Sequence, residues 1–545
     1  MTTDISPNRY QGRHLKNMFK ISIHTRDRIL EIIPGTTVWL TLLLAIILSI
    51  FKPLWLIYFI IVFSLYWILR IFYLNIHIIY SWWQLRQDLK IDWPAKLRQL
   101  PGWDGYYHLV ILPTYKEPLE VIETCFEGLI KNTHPLDKFI VVLGGEEGDQ
   151  EAFLQRAEII KNKYGDKFFK FLITVHPKGL PGEIPGKGSN AAWMGEHANV
   201  LIDELAIPYK KIIVSNFDID TVAHPYYFSC LTYKYIIHPD PTHTSFQPIA
   251  FYHNNIWDAP MILRIVANST TFWLLSDLAR PERMFTFSSH SMSFKALVDV
   301  GFWSKNLVTE DSHIFVQCFV HYRGNYSVEP IFVPVSMDTV LDESLWRSLK
   351  NQYKQVRRWG WTVEQWPFMV VEFFSKRGRV IPFWKKIKPF LNFTEGEYSW
   401  PTAPILLFTL GYLPFIWADT FTKTQVITQN APYVLQNIMT VGMLGIILLA
   451  VMSTAILPPA PKGQKYRYLF MILQWILLPI SMIIFGSLPA LEAQTRLLLG
   501  GKFKLGFNVT PKVRKTTTDS TTNSMAQETV TENPVKNSEK ISLKK

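Results

Sequence analysis

The chain has 545 residues, 48% of them hydrophobic and 14% aromatic, with a formal net charge of +12 at pH 7. That length accommodates a large catalytic domain with further elements around it. Charge is segregated: long uncharged apolar runs alternate with ordinary charged sequence, the pattern of a membrane protein. No basic stripe interleaved with aromatics and no zinc-finger spacing occurs, so nucleic acid is not expected as a partner. Cys125, Cys230 and Cys318 stand far apart, which argues against a disulfide framework or a zinc site and fits a reducing compartment.

Residues 1–33 are basic, with Arg9, Arg13, Lys16, Lys20, Arg26 and Arg28 against Asp4, Asp27 and Glu31. No signal-peptide cleavage pattern follows the first apolar run. Thr36–Phe51 and Leu54–Leu69 are apolar throughout, with only Lys52-Pro53 between them. They predict a transmembrane hairpin over residues 34–80, with its basic flanks cytoplasmic.

Residues 100–340 have the texture of an α/β domain with a mostly parallel sheet. Tyr107–Thr114 reads as a strand running into Pro113-Thr-Tyr-Lys-Glu117-Pro118. Lys138–Leu143 is a second strand, followed by Gly144-Gly-Glu146-Glu147-Gly148, and Phe168–Val175 a third. A Gly/Pro-rich loop from Pro177 to Asn190 contains Gly186-Lys187-Gly188 and opens a helix through Leu205. It lacks P-loop spacing. Glycines let backbone approach a ligand, and a helix N-terminus favours anions.

Ile212–Thr221 is an apolar strand ending in Asp218 and Asp220. Side chains at i and i+2 of a strand face the same way. Such a pair suits Mg²⁺ or Mn²⁺ bridging to substrate phosphates. Taken alone, it reads better as a solvated strand end. Phe285–Met292, which includes His290, reads as either an acceptor-side loop or a simple turn. Val308-Thr-Glu310-Asp311-Ser312 opens a helix through His321, with Thr309 or Ser312 as its cap.

Glu343–Trp361 is a basic amphipathic helix suited to a membrane surface, and it carries Gln355-Val-Arg-Arg358-Trp359. Residues 341–395 are read as interface helices. Three apolar runs follow within 400–490: Trp400–Ala418, Tyr433–Leu457 and Tyr468–Ala490. Pro479, Gly486 and Pro489 interrupt the last, making it the candidate re-entrant or interfacial segment. Residues 491–512 read as an interface helix and loop, and 513–545 as a disordered tail.

Asp218-Ile-Asp220, Thr309-Glu-Asp311 and Gln355-Val-Arg-Arg358-Trp359, in that order between apolar runs, resemble the membrane-embedded glycosyltransferase family 2. This is the group of cellulose, hyaluronan and chitin synthases. Phe507-Asn-Val509-Thr510-Pro-Lys512 resembles the gating loop of cellulose synthase.

The resemblance implies a GT-A, Rossmann-like α/β domain between transmembrane helices, at a cell membrane with its catalytic face cytoplasmic. The implied reaction is inverting transfer from a nucleoside diphosphate sugar to a growing polysaccharide, with a divalent cation, Mg²⁺ or Mn²⁺. Asp220 and Asp218 would hold that cation. Lys187, Glu117 and either Glu146 or Glu147 would contact the donor. Asp311, with Glu310 beside it, would supply the base. Gln355, Arg358, Trp359 and His290 would line the acceptor and diphosphate side. The family's Asp-Asp-Gly after the second strand is replaced by Gly144-Gly-Glu-Glu-Gly148. Single-sugar transfer to a lipid-linked acceptor is an alternative, and a transporter with a cytosolic nucleotide-binding domain a more distant one. The lipid bilayer, a donor and a glycan or lipid-linked acceptor are the expected partners.

Overall fold

The computed structural model describes residues 23–506, except 377, 462 and 465. Phe507, Val509, Thr510 and Lys512, and the expected tail over 513–545, lie outside the described residues.

Eight strands form one sheet: β1 (Tyr107–Pro113), β2 (Phe139–Glu146), β3 (Lys170–His176), β4 (Ile212–Asn216), β5 (Val222–Ala223), β6 (Thr244–Tyr252), β7 (Ser291–Ser293) and β8 (Ser327–Met337). Their spatial order is β3-β2-β1-β4-β7-β6-β8-β5. The first four pair in parallel. Their near-continuous Val, Ile and Leu content follows from burial on both faces. Leu109, Ile111, Val142 and Val214 pack on one side, and Val110, Leu112, Val141 and Ile213 on the other. Strand order switches at β1, with β2 and β3 added on one side and β4 on the other, the position where open α/β sheets bind ligands beyond the strand C-termini.

The second half of the sheet departs from the expected mostly parallel form. β7 runs antiparallel to both β4 and β6, β6 pairs in parallel with β8, and β5 is antiparallel to β8. The sheet is mixed. β8 carries Pro330 and Pro334, whose missing N–H groups disguise a strand in the sequence. β7 is only Ser-Met-Ser, which reads as loop.

Local boundaries shift at the site. β2 runs on through Gly144 and Gly145 to Glu146. A Cβ on Gly144 would lie 2.3 Å from the Met194 sulfur, and one on Gly145 2.3 Å from the Phe153 ring. These helix side chains fill the space that larger residues would need, which accounts for the Gly-Gly departure. The Lys187–Glu204 helix begins at Lys187, so Gly188, Ser189 and Asn190 form its first turn.

Among the described residues, four helices are long and apolar enough to cross a membrane: Thr25–Phe51, Pro53–Asp88, Val426–Ala455 and Arg467–Leu499. A fifth candidate is the pair Phe383–Phe408 and Leu410–Trp417, bent by 43°. The first apolar helix starts at Ile23, ahead of the expected boundary. Pro53–Asp88 has 36 residues. At that length it is about 54 Å long, well beyond a hydrocarbon core of about 30 Å. Its last turns belong to the α/β domain: Ile78 and Leu85 join the core, and the Ser81 hydroxyl donates to the Leu275 carbonyl at 2.6 Å. Arg70 of this helix pairs with Glu395, which also meets Arg283 at 3.5 Å.

The Arg467–Leu499 segment lies against the domain in its first half and against the Leu345–Trp359 and first apolar helices in its second. Arg467 donates to the Trp257 carbonyl at 3.1 Å, Trp475 packs 5.8 Å from Phe272, and Phe485 clusters with Val266 and Val356. Glu492 pairs with Arg357 at 2.6 Å, and Arg28 donates to the Leu497 carbonyl at 2.7 Å. Gly360 sits so close that a Cβ there would be 2.9 Å from the Ala490 Cα. Gly360→Leu should therefore push the two elements apart. The expected loss is about 1–3 kcal/mol, read as a lowered melting temperature of the detergent-solubilised chain. An unchanged melting temperature would refute this close packing.

Candidate active site

Beyond the C-terminal ends of β1, β2 and β4 lies a cavity of about 340 Å³. Asp218, Asp220, Lys187, Glu117, Glu146, Gln355, Arg358 and Trp359 all line it. Motifs separated by more than a hundred residues thus meet in one volume. That volume is the size of an ordinary small-molecule site.

Lys187 is the central cation. Its Nζ lies 2.6 Å from Asp218 Oδ1 and 4.0 Å from Glu310 Oε1. Burial acts to lower its pKa, but Asp218, Glu310 and Asp311 outweigh burial and hold it above the ordinary value. Asp218 Oδ2 also accepts the Ser288 hydroxyl at 2.6 Å. Asp220 is 1% exposed, and its Oδ2 accepts the Asp338 N–H at 2.9 Å. Asn254 ties these strand ends together, donating to the Asp220 carbonyl and to Asp338 Oδ1.

Glu310 and Asp311 sit in the first turn of the Glu310–His321 helix, where the helix dipole favours negative charge. Neither lines the cavity wall itself. Burial, and for Glu310 the neighbouring Asp311, raise both carboxyls above the usual range, while Lys187 and Arg358 pull them down. A carboxyl raised in this way is a better proton acceptor than an ordinary aspartate.

Two more expected residues, Glu147 and His290, also lie off the cavity wall. Glu147 does not line the cavity, and its carboxylate accepts the Lys178 N–H at 2.6 Å. Of the two acids after β2, Glu146 is the one that faces the cavity. His290 is 1% exposed and also off the cavity wall. Its Nδ1–H donates to the Phe287 carbonyl at 2.8 Å, and burial lowers its pKa to about 4, so it is neutral. Glu117 has a local task as well, accepting the Thr114 hydroxyl at 2.7 Å and the Tyr115 N–H.

Sequence reading missed Tyr115, Tyr252, Asp338, His176 and Glu183, which also line the cavity. Tyr252 packs 6.1 Å from Trp359. His176 stands opposite Glu146 in the β2–β3 register. Its Nδ1 meets Glu146 and its Nε2 meets Glu183, each at 2.9 Å. Glu183 lies on the loop leading to Lys187 and also pairs with Lys305 at 3.2 Å. A histidine ending a strand next to a Gly/Pro-rich loop was the available signal.

Among the described residues, no three or more His, Cys, Asp or Glu side chains are gathered as a metal cage. Asp218 and Asp220 offer hard carboxylate oxygens on one wall. They fit an ion that takes its remaining ligands from a diphosphate and water, as Mg²⁺ and Mn²⁺ commonly do.

No protein-family model matches the chain, and no curated protein matches it in sequence. Among solved structures, it is similar to a mannosyltransferase from Pyrobaculum calidifontis in complex with GDP-Man and Mn²⁺. Identity is 15%, the match covers 70% of this chain and 99% of that one, and the TM-score is 0.38. It is also similar to S. aureus TarS 1–349, alone and with UDP. Identities are 11% and 12%, coverage is 69% of this chain and 90% of that one, and the TM-score is 0.32 in each case. At these scores the reading of the site rests on its own residues.

The His176 pairs carry a pH dependence. Burial acts to lower the His176 pKa, but hydrogen bonds and charge from Glu146 and Glu183 overcome it and raise it above 6.5. The stabilisation is complete below about pH 6.5 and is lost as pH rises through the raised folded value. The melting-temperature gap between wild type and His176→Gln should narrow from pH 6 to pH 9. A gap that stays constant or widens would exclude the charged pairs.

Proposed function

We propose that this chain is a membrane glycosyltransferase that moves a sugar from a nucleoside diphosphate sugar to an acceptor hydroxyl with inversion. The observation that carries the reading is the convergence of Lys187, Asp218, Asp220, Arg358 and Trp359 on one cavity, with Glu310 and Asp311 in electrostatic contact with its cations. The geometry supplies the parts that group transfer from a diphosphate needs. Asp311 takes the proton of the acceptor hydroxyl as that oxygen forms its bond to the sugar's anomeric carbon. The bond from that carbon to the diphosphate breaks, and its electron pair leaves on the phosphate oxygen. Lys187, Arg358 and the N-terminus of the Lys187–Glu204 helix stabilise the growing negative charge. A divalent cation held by Asp218 and Asp220 would add charge neutralisation on the departing diphosphate.

The acceptor on this reading is a growing glycan; one sugar added to a lipid-linked acceptor is the alternative. Transport is disfavoured because the charged groups cluster on the α/β domain, whereas transporter sites place them at the membrane midplane.

On this reading four passes leave Thr25, the α/β domain and the Arg467–Leu499 segment on one side. The passes are Thr25–Phe51, Pro53–Asp88, the bent Phe383–Trp417 pair and Val426–Ala455. Arg467–Leu499 then lies along the interface, a reading supported by its contacts with Trp257 near its start and with Arg357 of the Leu345–Trp359 helix near its end. Lys502→Cys should react with a membrane-impermeant thiol reagent only from the domain's side. Labelling from the opposite side would overturn this topology.

The activity is tested with purified protein, a panel of radiolabelled nucleoside diphosphate sugars, and Mg²⁺ or Mn²⁺. Asp311→Asn should lower turnover by about 10²–10⁴-fold with donor binding retained. Full turnover in that variant would remove the base assignment. Product length would separate a glycan acceptor from a single addition.

A further inference from the structure

The catalytic acids sit on a helix start whose expected cap is absent. Thr309 occupies the N-cap position of the Glu310–His321 helix, yet its side chain makes no capping bond. Its hydroxyl donates instead to Glu364 Oε1 at 3.0 Å, and the same oxygen accepts the Val308 N–H at 3.1 Å. Glu364 Oε2 accepts the indole N–H of Trp361 at 2.7 Å. The next residue, Gln365, is fully buried. Its Nε2 donates to the Ser312 hydroxyl at 2.6 Å and to the Thr309 hydroxyl at 3.2 Å. Two consecutive side chains therefore grip Val308, Thr309 and Ser312, the residues that bracket Glu310 and Asp311.

The grip comes from a telling place. The Leu345–Trp359 helix, which brings Gln355, Arg358 and Trp359 to the cavity, passes directly into the Gly360–Glu364 turn. Trp361 is 2% exposed and packs with Val308, Val363, Ala493 and Leu497. The cavity wall and the start of the acid-bearing helix are thus joined through Glu364.

We infer that Glu364 is the positioning residue for the catalytic acids, fixing Val308–Thr309 so that Asp311 keeps its place opposite Lys187 and Arg358. The inference rests on the assignment of Asp311 as the base. Glu364 is bonded to Val308, Thr309 and Trp361, so it acts through the start of the acid-bearing helix and not on the substrate. It also explains the threonine that precedes Glu310: its hydroxyl serves the tie to Glu364.

The chemistry of the tie makes a sharp test. Two of the three donors to Glu364 are N–H groups that can only donate. A carboxylate accepts at both oxygens, whereas a glutamine would turn an NH₂ toward one of those donors. Glu364→Gln is nearly isosteric but breaks the grip.

The experiment compares the purified full-length wild type with Glu364→Gln, Thr309→Val, Thr309→Ser, Asp311→Asn and the Glu364→Gln/Thr309→Val double variant. Turnover and donor KM are measured alongside backbone hydrogen exchange over residues 308–312. Glu364→Gln should lower kcat by about tenfold or more, leave donor KM within about twofold, and speed exchange of these amides. Thr309→Ser should keep kcat while Thr309→Val loses it, and the double variant should be no worse than Glu364→Gln alone. A wild-type kcat in Glu364→Gln beside an inactive Asp311→Asn overturns the positioning role. So do multiplying effects in the double variant. An active Asp311→Asn instead defeats the base assignment, and the exchange data then report on the tie separately. If Glu364→Gln does not fold, the Thr309 pair decides: equal kcat in Thr309→Val and Thr309→Ser overturns the inference.

Discussion

The Lys187 ammonium sits among carboxylates from two other parts of the chain, and the site depends on that balance of charge. Asp218 belongs to the strand end after β4, Glu310 and Asp311 to a helix start, and Lys187 to the first turn of another helix. The Lys187 side chain is 11% exposed and the Glu310 side chain 4%. Acidic groups gathered with so little water repel one another unless cations compensate. Lys187 and Arg358 supply the compensation, and both raised carboxyls register its incompleteness. On the proposed reading, a donor diphosphate adds negative charge to this set and competes with Asp218 for Lys187. A divalent cation on Asp218 and Asp220 restores the balance, which gives the Asp-x-Asp a physical reason to accompany the lysine.

The fold serves that balance by keeping each charge on a rigid element. The parallel half of the sheet, buried on both faces, fixes the ends of β1, β2 and β4. The mixed half brings β6 and β8 alongside, so that Tyr252 and Asp338 close the far wall. The membrane-facing half is welded to this unit. Pro53–Asp88 runs from the apolar region into the core, and Glu395 ties its Arg70 to Arg283.

What was legible in the sequence follows from what leaves a periodic or ordered trace. β1, β2 and β4 are unbroken apolar runs, and their ends carry spaced acids, so both the strands and the acids that line the cavity were readable. β8 was not, because prolines hide a strand whose register shifts where Pro248 of β6 adjoins it. His176, Glu183 and Glu364 were also missed. Each acts through a long-range pairing: His176 with a neighbouring strand and a loop, Glu364 with a helix start 55 residues away. No local spacing encodes such a contact. His290 was overvalued for the same reason, since its place behind the cavity wall depends on how β7 inserts beside β4.

The Arg467–Leu499 segment shows where hydropathy stops discriminating. A rod that crosses a bilayer and a rod that lies between bilayer and protein both shed charge, because both bury apolar surface. This segment's contacts are with Trp257 near its start, and with Arg357 of the Leu345–Trp359 helix and Arg28 of the first apolar helix near its finish. A 3₁₀ turn at Gln474–Leu477 and a π turn at Ile483–Ser487 let it follow the domain's underside, and Gly360 gives Ala490 room to approach. Ala490 and Glu492 thereby press on the stretch from Arg357 to Glu364, which links the Gln355–Trp359 wall to the acid-bearing helix.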